Sequence, residues 1–243
     1  MKQVIFEVVS NEKIAKDVYK MIMQGDCNKI SCGQFVNIQI DGLYLRRPIS
    51  VCEVVGDKLT LIYKVVGKGT DAMSKMTQGT ELDVLTGLGN GYDLSQSGEN
   101  PLLIGGGVGV PPMYQLAKDL IAQGKRVTVI LGFNKAEEVF YADEFEALGA
   151  KVYVATADGS MGTKGFVTDV MKNLEGYTYV YTCGPEPMLK AVYNMSETSG
   201  QFSFEERMGC GFGACMGCSC KTKYGNKRIC KEGPVLTKEE IIW

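Results

Sequence analysis

A chain of 243 residues, 45% hydrophobic and 22% charged, can bury a sizeable core as one large domain or two smaller ones. A formal net charge of -2 argues against a nucleic-acid or anionic-membrane partner. The lack of any histidine excludes histidine acid–base catalysis, histidine zinc sites and Rieske-type ligation together.

Met1-Lys2-Gln3-Val4-Ile5-Phe6-Glu7 contains no uninterrupted apolar segment of signal-peptide length, and no later run approaches a membrane span. A cytoplasmic protein with reduced cysteines is therefore expected. From Val4 to about Val84 short β-rich runs follow one another: Val4–Val9, Gln34–Ile40, Ser50–Val55, Leu59–Val65 and Glu81–Leu85. Turn signals such as Gly25-Asp26, Asp41-Gly42 and Gly56-Asp57 separate several of them. This predicts an all-β domain, a small closed antiparallel β-barrel.

Two motifs inside it carry chemistry. In Arg46-Arg47-Pro48-Ile49-Ser50 a proline fixes the backbone between a guanidinium and a hydroxyl, although alone such a tetrapeptide is an ordinary strand entry. Gly67-Lys68-Gly69-Thr70 leads from a strand into a helix-like Asp71–Gln78. A glycine-rich turn at a helix start offers free N–H groups to a pyrophosphate; a plain helix capped by Thr70 is the competing reading. The glycine-dense loop Thr86–Asp93 either lines a cofactor site or is only a connection. A polar stretch ending at Pro101 then puts a domain boundary near Gly98.

The second half changes period. Apolar runs at Leu102–Ile104, Val127–Leu131, Val152–Thr156 and Tyr179–Cys183 alternate with helix-like Pro112–Gln123, Glu137–Leu148, Phe166–Leu174 and Pro187–Thr198, which predicts an α/β domain with a covered parallel sheet. Its first turn, Gly105-Gly106-Gly107-Val108-Gly109-Val110-Pro111-Pro112, opens a helix and can reach a phosphate, yet it does not satisfy G-x-G-x-x-G. Cys183-Gly184-Pro185 ends the last predicted strand, where α/β ligands lie; alone it is a strand-to-helix turn with a buried cysteine. After the second strand, Gly132-Phe133-Asn134-Lys135-Ala136-Glu137-Glu138 contains no arginine, which leans towards NAD, while Lys135 keeps NADP open.

Near the end, Cys210, Cys215, Cys218 and Cys230 are spaced C-x4-C-x2-C with a distant fourth cysteine, the plant-type pattern of a [2Fe–2S] cluster. Gly209, Gly211, Gly213, Ala214 and Gly217 let backbone N–H groups turn towards the sulfurs. Zinc is less favoured, because only Cys215 and Cys218 are paired as C-x2-C, and nine cysteines in so long a chain do not suit a disulfide framework. Cys220, two residues beyond Cys218, is either a neighbour or an alternative ligand.

The order of these pieces resembles the ferredoxin–NADP reductase superfamily, in which a flavin-binding barrel precedes a nucleotide domain. The resemblance implies that Arg47 contacts the FAD phosphate, that Ser50, beyond Pro48, meets its ring, and that Gly67, Gly69 and Thr70 cradle the pyrophosphate. Ile49 stands where the superfamily commonly has an aromatic ring; Tyr63, beside Lys64, is one alternative cover, and both join the flavin set. Gly105, Gly107 and Gly109 then receive the pyridine nucleotide, and Cys183, Gly184 and Pro185 face the nicotinamide.

With Glu-Arg-Met-Gly-Cys-Gly-Phe-Gly-Ala-Cys at 206–215 and Gly-Leu-Gly-Asn-Gly at 87–91, the whole chain resembles the electron-transfer subunits of type B dihydroorotate dehydrogenases. That implies a flavin barrel at 1–98, an NAD domain at 99–200 and a [2Fe–2S] module at 201–243. It also implies a hetero-oligomer with an FMN-containing dihydroorotate dehydrogenase catalytic subunit, whose electrons pass through the cluster and FAD to NAD+, with no catalytic side chain here. Related flavin and iron–sulfur subunits of a ferredoxin:NADP oxidoreductase or a sulfide dehydrogenase are the nearest alternative. A zinc-stabilised nucleotide-binding regulator is the alternative of another class.

Overall fold

A computed structural model describes residues 1–243. Six strands, β1 (Lys2–Ala15), β2 (Val18–Gln24), β3 (Phe35–Ile38), β4 (Arg47–Val55), β5 (Lys58–Lys64) and β6 (Glu81–Leu88), close an antiparallel barrel in the order β1-β2-β5-β4-β3-β6. Alternation puts Phe6, Met21, Ile38, Val51, Leu61 and Val84 inside, all at most 1% exposed. The sequence pattern showed five of these strands and missed β2. Strand β1 runs on to Ala15 and returns through a turn at Lys16-Asp17, where Asp17 adopts φ 57°. An aspartate in the left-handed region does the work usually signalled by glycine, so no glycine or proline marked the hairpin.

The helix expected at Asp71–Gln78 is α1 (Lys68–Ser74), begun earlier and capped by Gly67. Thr70 is its third residue. The hydroxyl accepts from the N–H groups of Val66 (2.9 Å) and Gly67 (3.3 Å), so it closes the turn from inside the helix.

The second domain holds β7 (Pro101–Gly106), α2 (Pro111–Ala122), β8 (Thr128–Phe133), α3 (Ala142–Ala147), β9 (Lys151–Thr156), β10 (Thr163–Lys164), α4 (Val167–Met171), β11 (Tyr179–Cys183), α5 (Glu186–Met195) and β12 (Gly200–Ser203). After these come β13 (Ser219–Thr222), β14 (Gly225–Arg228) and β15 (Val235–Thr237). The sheet order is β10-β9-β8-β7-β11-β12-β15, parallel except for β15. Leu102, Leu103 and Ile104 of β7 are all fully buried, as a strand covered on both faces requires. Because the chain moves from β7 to one side and later to the other, the crevice between the ends of β7 and β11 is the topological switch point, where such sheets bind ligands.

Two features alter the expected division at 200/201. Strands β12 and β15 both belong to the nucleotide sheet, so the cysteine-rich segment is an insertion between them. The loop after β6 is a brace. The Asn90 side chain donates to the Val235 carbonyl (2.8 Å) and accepts from its N–H (3.0 Å), and the Asn90 N–H donates to the Gly233 carbonyl (2.6 Å). Barrel and sheet are joined as well: Cys52 and Ile62 share a core with helix α2, and Lys118 pairs with Glu53 at 2.6 Å.

Candidate functional site

A cleft of about 1230 Å³ opens where the three segments meet. Arg47, Pro48 and Gly67 line it from the barrel, Gly184 and Pro185 from the end of β11, and Glu206, Cys220 and Trp243 from the C-terminal segment. A second cavity of about 280 Å³, beside Cys32 and Asp119, is too small for a dinucleotide and meets the glycine-dense loop only at Tyr92.

The two adjacent arginines have different tasks. Arg46 donates to the Asp83 carboxylate (3.0 Å) and to the Asp83 carbonyl (2.9 Å), locking β4 to β6. Its guanidinium holds the Asp83 carboxyl below the usual carboxylate range. A lowered acid stabilises the fold above its unfolded value and loses that stabilisation as pH falls through the folded value. Asp83→Asn is therefore expected to cost about 1 kcal/mol at neutral pH, the upper end for a partly exposed pair. In urea melts its deficit against the parent should persist down to about pH 4 and vanish below that.

Arg47 has no carboxylate partner; its guanidinium donates to the Leu45 carbonyl and lies against Gly69, where a Cβ would overlap it. An uncommitted guanidinium over the first turn of α1, whose leading amides have no partner within the helix, suits a phosphate group. Gly67 borders the cleft with open space over its Cα. Ser50 is half-buried on β4, opposite Phe35 of β3, on the same side of the strand as Pro48.

Three expected flavin contacts are otherwise engaged. Tyr63 points into the barrel, 2% exposed, with its hydroxyl donating to Asn11 (2.9 Å) and its ring stacked on Tyr19; it is core, because β5 puts its odd-numbered side chains inside. Lys64 reaches the nucleotide domain and pairs with Glu138 at 3.5 Å. The Thr70 hydroxyl is used by its own turn, leaving its backbone to face a phosphate. Ile49 packs on the barrel core.

At the switch point the two glycine motifs fold against each other. A Cβ on Gly109 would overlap the Cys183 carbonyl, one on Gly184 would meet Met188, and one on Gly105 would press on Val110. Gly107, at φ 52°, faces open space at the rim. Burial pushes the Cys183 thiol up to about 12, against a smaller opposing effect of the Ser203 hydroxyl, so it is neutral and no nucleophile, and it stands behind Gly184 and Pro185 rather than on the cleft lining. Gly109→Ala is expected to separate the two loops and cost about 1–3 kcal/mol, as overpacking does. Thermal unfolding reads the stability loss, and NADH titration should show weaker binding.

The four motif cysteines approach one another in two pairs. The Cys215 N–H donates to Cys210 Sγ and the Cys230 N–H to Cys218 Sγ, both at 3.4 Å. Partial burial raises the Cys210 thiol, but the N–H groups of Cys215, Phe212 and Ala214 outweigh it and leave it at about 6. Burial, then the neighbouring Cys218 thiol, push Cys230 up to about 12. No three of these sulfurs converge on one ion. Two thiol pairs ringed by backbone donors fit a two-iron cluster, which takes two thiolates per iron, better than a single tetrahedral zinc. Cys220 stands apart from both pairs, in β13 opposite Lys227, and turns to the cleft. Gly211, at φ 73°, packs on Asn37 of β3, which leans the cysteine loop on the barrel.

Residues 205–207 and 241–243 were not read from sequence as lining the cleft. The only available signal was the single tryptophan, Trp243.

Residues 205–242 match the family model described as the iron-sulfur cluster binding domain of dihydroorotate dehydrogenase B, and residues 103–194 the oxidoreductase NAD-binding domain. The chain is 49% identical over 251 residues to the dihydroorotate dehydrogenase B (NAD(+)) electron transfer subunit of Fusobacterium nucleatum, covering 96% of each chain. It is 43% identical to the protein of that name from a Geobacillus strain, covering 100% of this chain and 99% of the other. Among solved structures, an NADH-dependent reduced ferredoxin-NADP oxidoreductase superposes with a TM-score of 0.90 at 30% identity, over 98% of this chain and 90% of that one. A ferredoxin NADP+ reductase from Neisseria gonorrhoeae shares the fold, with a TM-score of 0.70 at 17% identity over 80% of this chain and 90% of the other.

Proposed function

Because the chain belongs to the family of dihydroorotate dehydrogenase B (NAD+) electron-transfer subunits, we propose that it works in pyrimidine biosynthesis, in the cytoplasm, as the electron-transfer half of a hetero-oligomer. Its partner is an FMN-containing catalytic subunit that oxidises dihydroorotate to orotate. The electrons leave through a [2Fe–2S] cluster and FAD to NAD+. The observation that carries this reading is the single cleft walled by the flavin motif, the turn after β11 and the cysteine-rich segment together.

When bound, the flavin joins one-electron to two-electron chemistry and the cluster moves single electrons. The protein's part is placement. Arg47 and the first turn of α1 hold the flavin phosphates, Gly67 and Gly69 let them approach, and Ser50 lies on the same strand for the ring. Gly105, Gly107 and Gly109 receive the pyridine nucleotide, and Gly184 and Pro185 bring its reacting end to the flavin cleft. Cys210 with Cys215, and Cys218 with Cys230, hold one iron each. No side chain of the site is needed as an acid or base.

NAD is favoured by the end of β8. There the loop that follows, Asn134–Glu138, has no arginine to meet an extra ribose phosphate and Lys135 as its one cation. Affinity purification under anaerobic conditions tests the assignment. Recovery of an FMN-containing dihydroorotate dehydrogenase with the tagged chain is expected, whereas recovery of a ferredoxin-dependent partner without it would sink the reading.

A further inference from the structure

We propose that Asn134 selects NADH over NADPH by presenting its amide oxygen to a ribose hydroxyl, with Glu138 and the barrel's Lys64 as the positioning residues that hold it that way round, an inference that rests on the nucleotide reading above and names what discriminates at that site.

Asn134 is the first residue beyond β8, the strand that lies next to β7 in the sheet. In doubly wound sheets the ribose of the dinucleotide's adenosine half lies beyond the end of that second strand. Asn134 is exposed there, yet its amide is not free to turn. Glu138 Oε2 accepts from the Asn134 N–H at 3.2 Å and from its Nδ2 at 2.9 Å. Burial works to raise the Glu138 carboxyl, but the Asn134 donors and the Lys64 charge outweigh it and hold it below its ordinary value, so it is ionised at neutral pH. An ionised carboxylate only accepts, so the amide nitrogen must face Glu138 and the amide oxygen must face away. No group of the chain donates to that oxygen. An outward acceptor completes a hydrogen bond with a ribose hydroxyl, whereas a ribose phosphate, itself rich in acceptors, sets oxygen against oxygen.

The loop that carries Asn134 is braced from two sides. From the nucleotide domain, the Ala136 N–H donates to the Ser160 hydroxyl at 2.8 Å and the Asp158 N–H to the Asn134 carbonyl at 3.2 Å. From the barrel, Lys64 at the end of β5 pairs with Glu138 Oε1 at 3.5 Å. In the turn between β1 and β2, the Lys16 N–H donates to the Glu137 carbonyl at 3.0 Å and its ammonium pairs with the Glu137 carboxylate at 2.6 Å. The flavin domain thus helps to shape the loop that reads the nucleotide. Lys135 takes no part in this brace and is the one cation of the loop able to draw a phosphate, so the nucleotide preference of the parent is itself part of the test.

The purified chain, loaded with FAD and cluster, is mixed anaerobically with NADH or with NADPH over a range of concentrations. Each nucleotide passes one hydride to FAD, which takes one proton from solvent, and the bleaching is followed by stopped flow. The parent should half-saturate at a lower concentration of NADH than of NADPH. In Asn134→Ala the half-saturating NADH concentration should rise about tenfold, the worth of one good hydrogen bond, with the limiting rate unchanged. In Glu138→Gln the new side chain donates as well as accepts, so Asn134 turns either way and the NADPH-to-NADH ratio of half-saturating concentrations should fall severalfold. Glu137→Gln is the control, because it loosens the same seam without touching the Asn134 amide and should keep the parental ratio. A parent that prefers NADPH would overturn the proposal, as would parental ratios in Asn134→Ala and Glu138→Gln. An equal fall in Glu137→Gln would overturn it too, by assigning the effect to the seam as a whole. A parent whose flavin NADH does not bleach defeats the nucleotide reading itself, whereas a parent that NADH bleaches, with variants that match it, defeats only this inference.

Discussion

Cys215→Ser is expected to give a protein that has lost its cluster and kept its flavin. Cys215 supplies one sulfur of the first thiol pair, and its N–H is also one of the donors to Cys210 Sγ. Replacing the thiolate removes one of two ligands from one iron, and a serine oxygen is the wrong donor for a soft site. The EPR signal of the reduced cluster should disappear, and iron analysis should fall from two per chain towards zero. The proposed flavin contacts, Arg47, Gly67 and Gly69, all belong to the barrel domain, and the proposed nucleotide contacts to the ends of β7 and β11. NADH should therefore still bleach the flavin. If the variant lost FAD as well, the separation of tasks among the three segments would be wrong.

Arg47→Ala should have the complementary effect, with the cluster retained and FAD weakly held. A charge-assisted hydrogen bond to a phosphate contributes about 1.5–3 kcal/mol, which corresponds to roughly ten- to a hundred-fold in affinity. Equilibrium dialysis of the cluster-loaded protein against FAD would measure it. Arg46→Ala is the informative control. Because Arg46 is spent on Asp83, its loss should lower the unfolding midpoint while changing FAD affinity little. Equal loss of FAD in the two variants would mean that the neighbouring guanidiniums share the phosphate, against the division of roles drawn from the structure.

The motifs were legible in the sequence because each depends on short spacing. Glycines at 105, 107 and 109, the Cys-Gly-Pro turn and the four cysteines all act through local backbone, and the structure brings the first two groups into contact at the switch point. Strand β2 was illegible because its turn residue is Asp17 in a left-handed conformation rather than glycine. Tyr63 was misread for a different reason: whether a strand side chain points in or out depends on register, and β5 turns Tyr63 inward while the pattern around it, buried on both faces, gives no alternation to read. The cleft wall from 241 to 243 depends on the pairing of Ile241 with Thr222, a contact between segments that no spacing rule reports. Composition alone, without histidine, excluded only histidine acid–base catalysis and histidine-ligated metal and left any redox chemistry to bound groups.

The insertion of the cysteine-rich segment between β12 and β15 also imposes an order on biosynthesis. Barrel and central sheet can form from residues already synthesised, but the clamp at the base of the cluster loop, β15 against β12 and Asn90 against Val235, closes only once the chain has been made through Thr237. The cysteine-rich loop is thus the last part of the fold to be tied down at both ends.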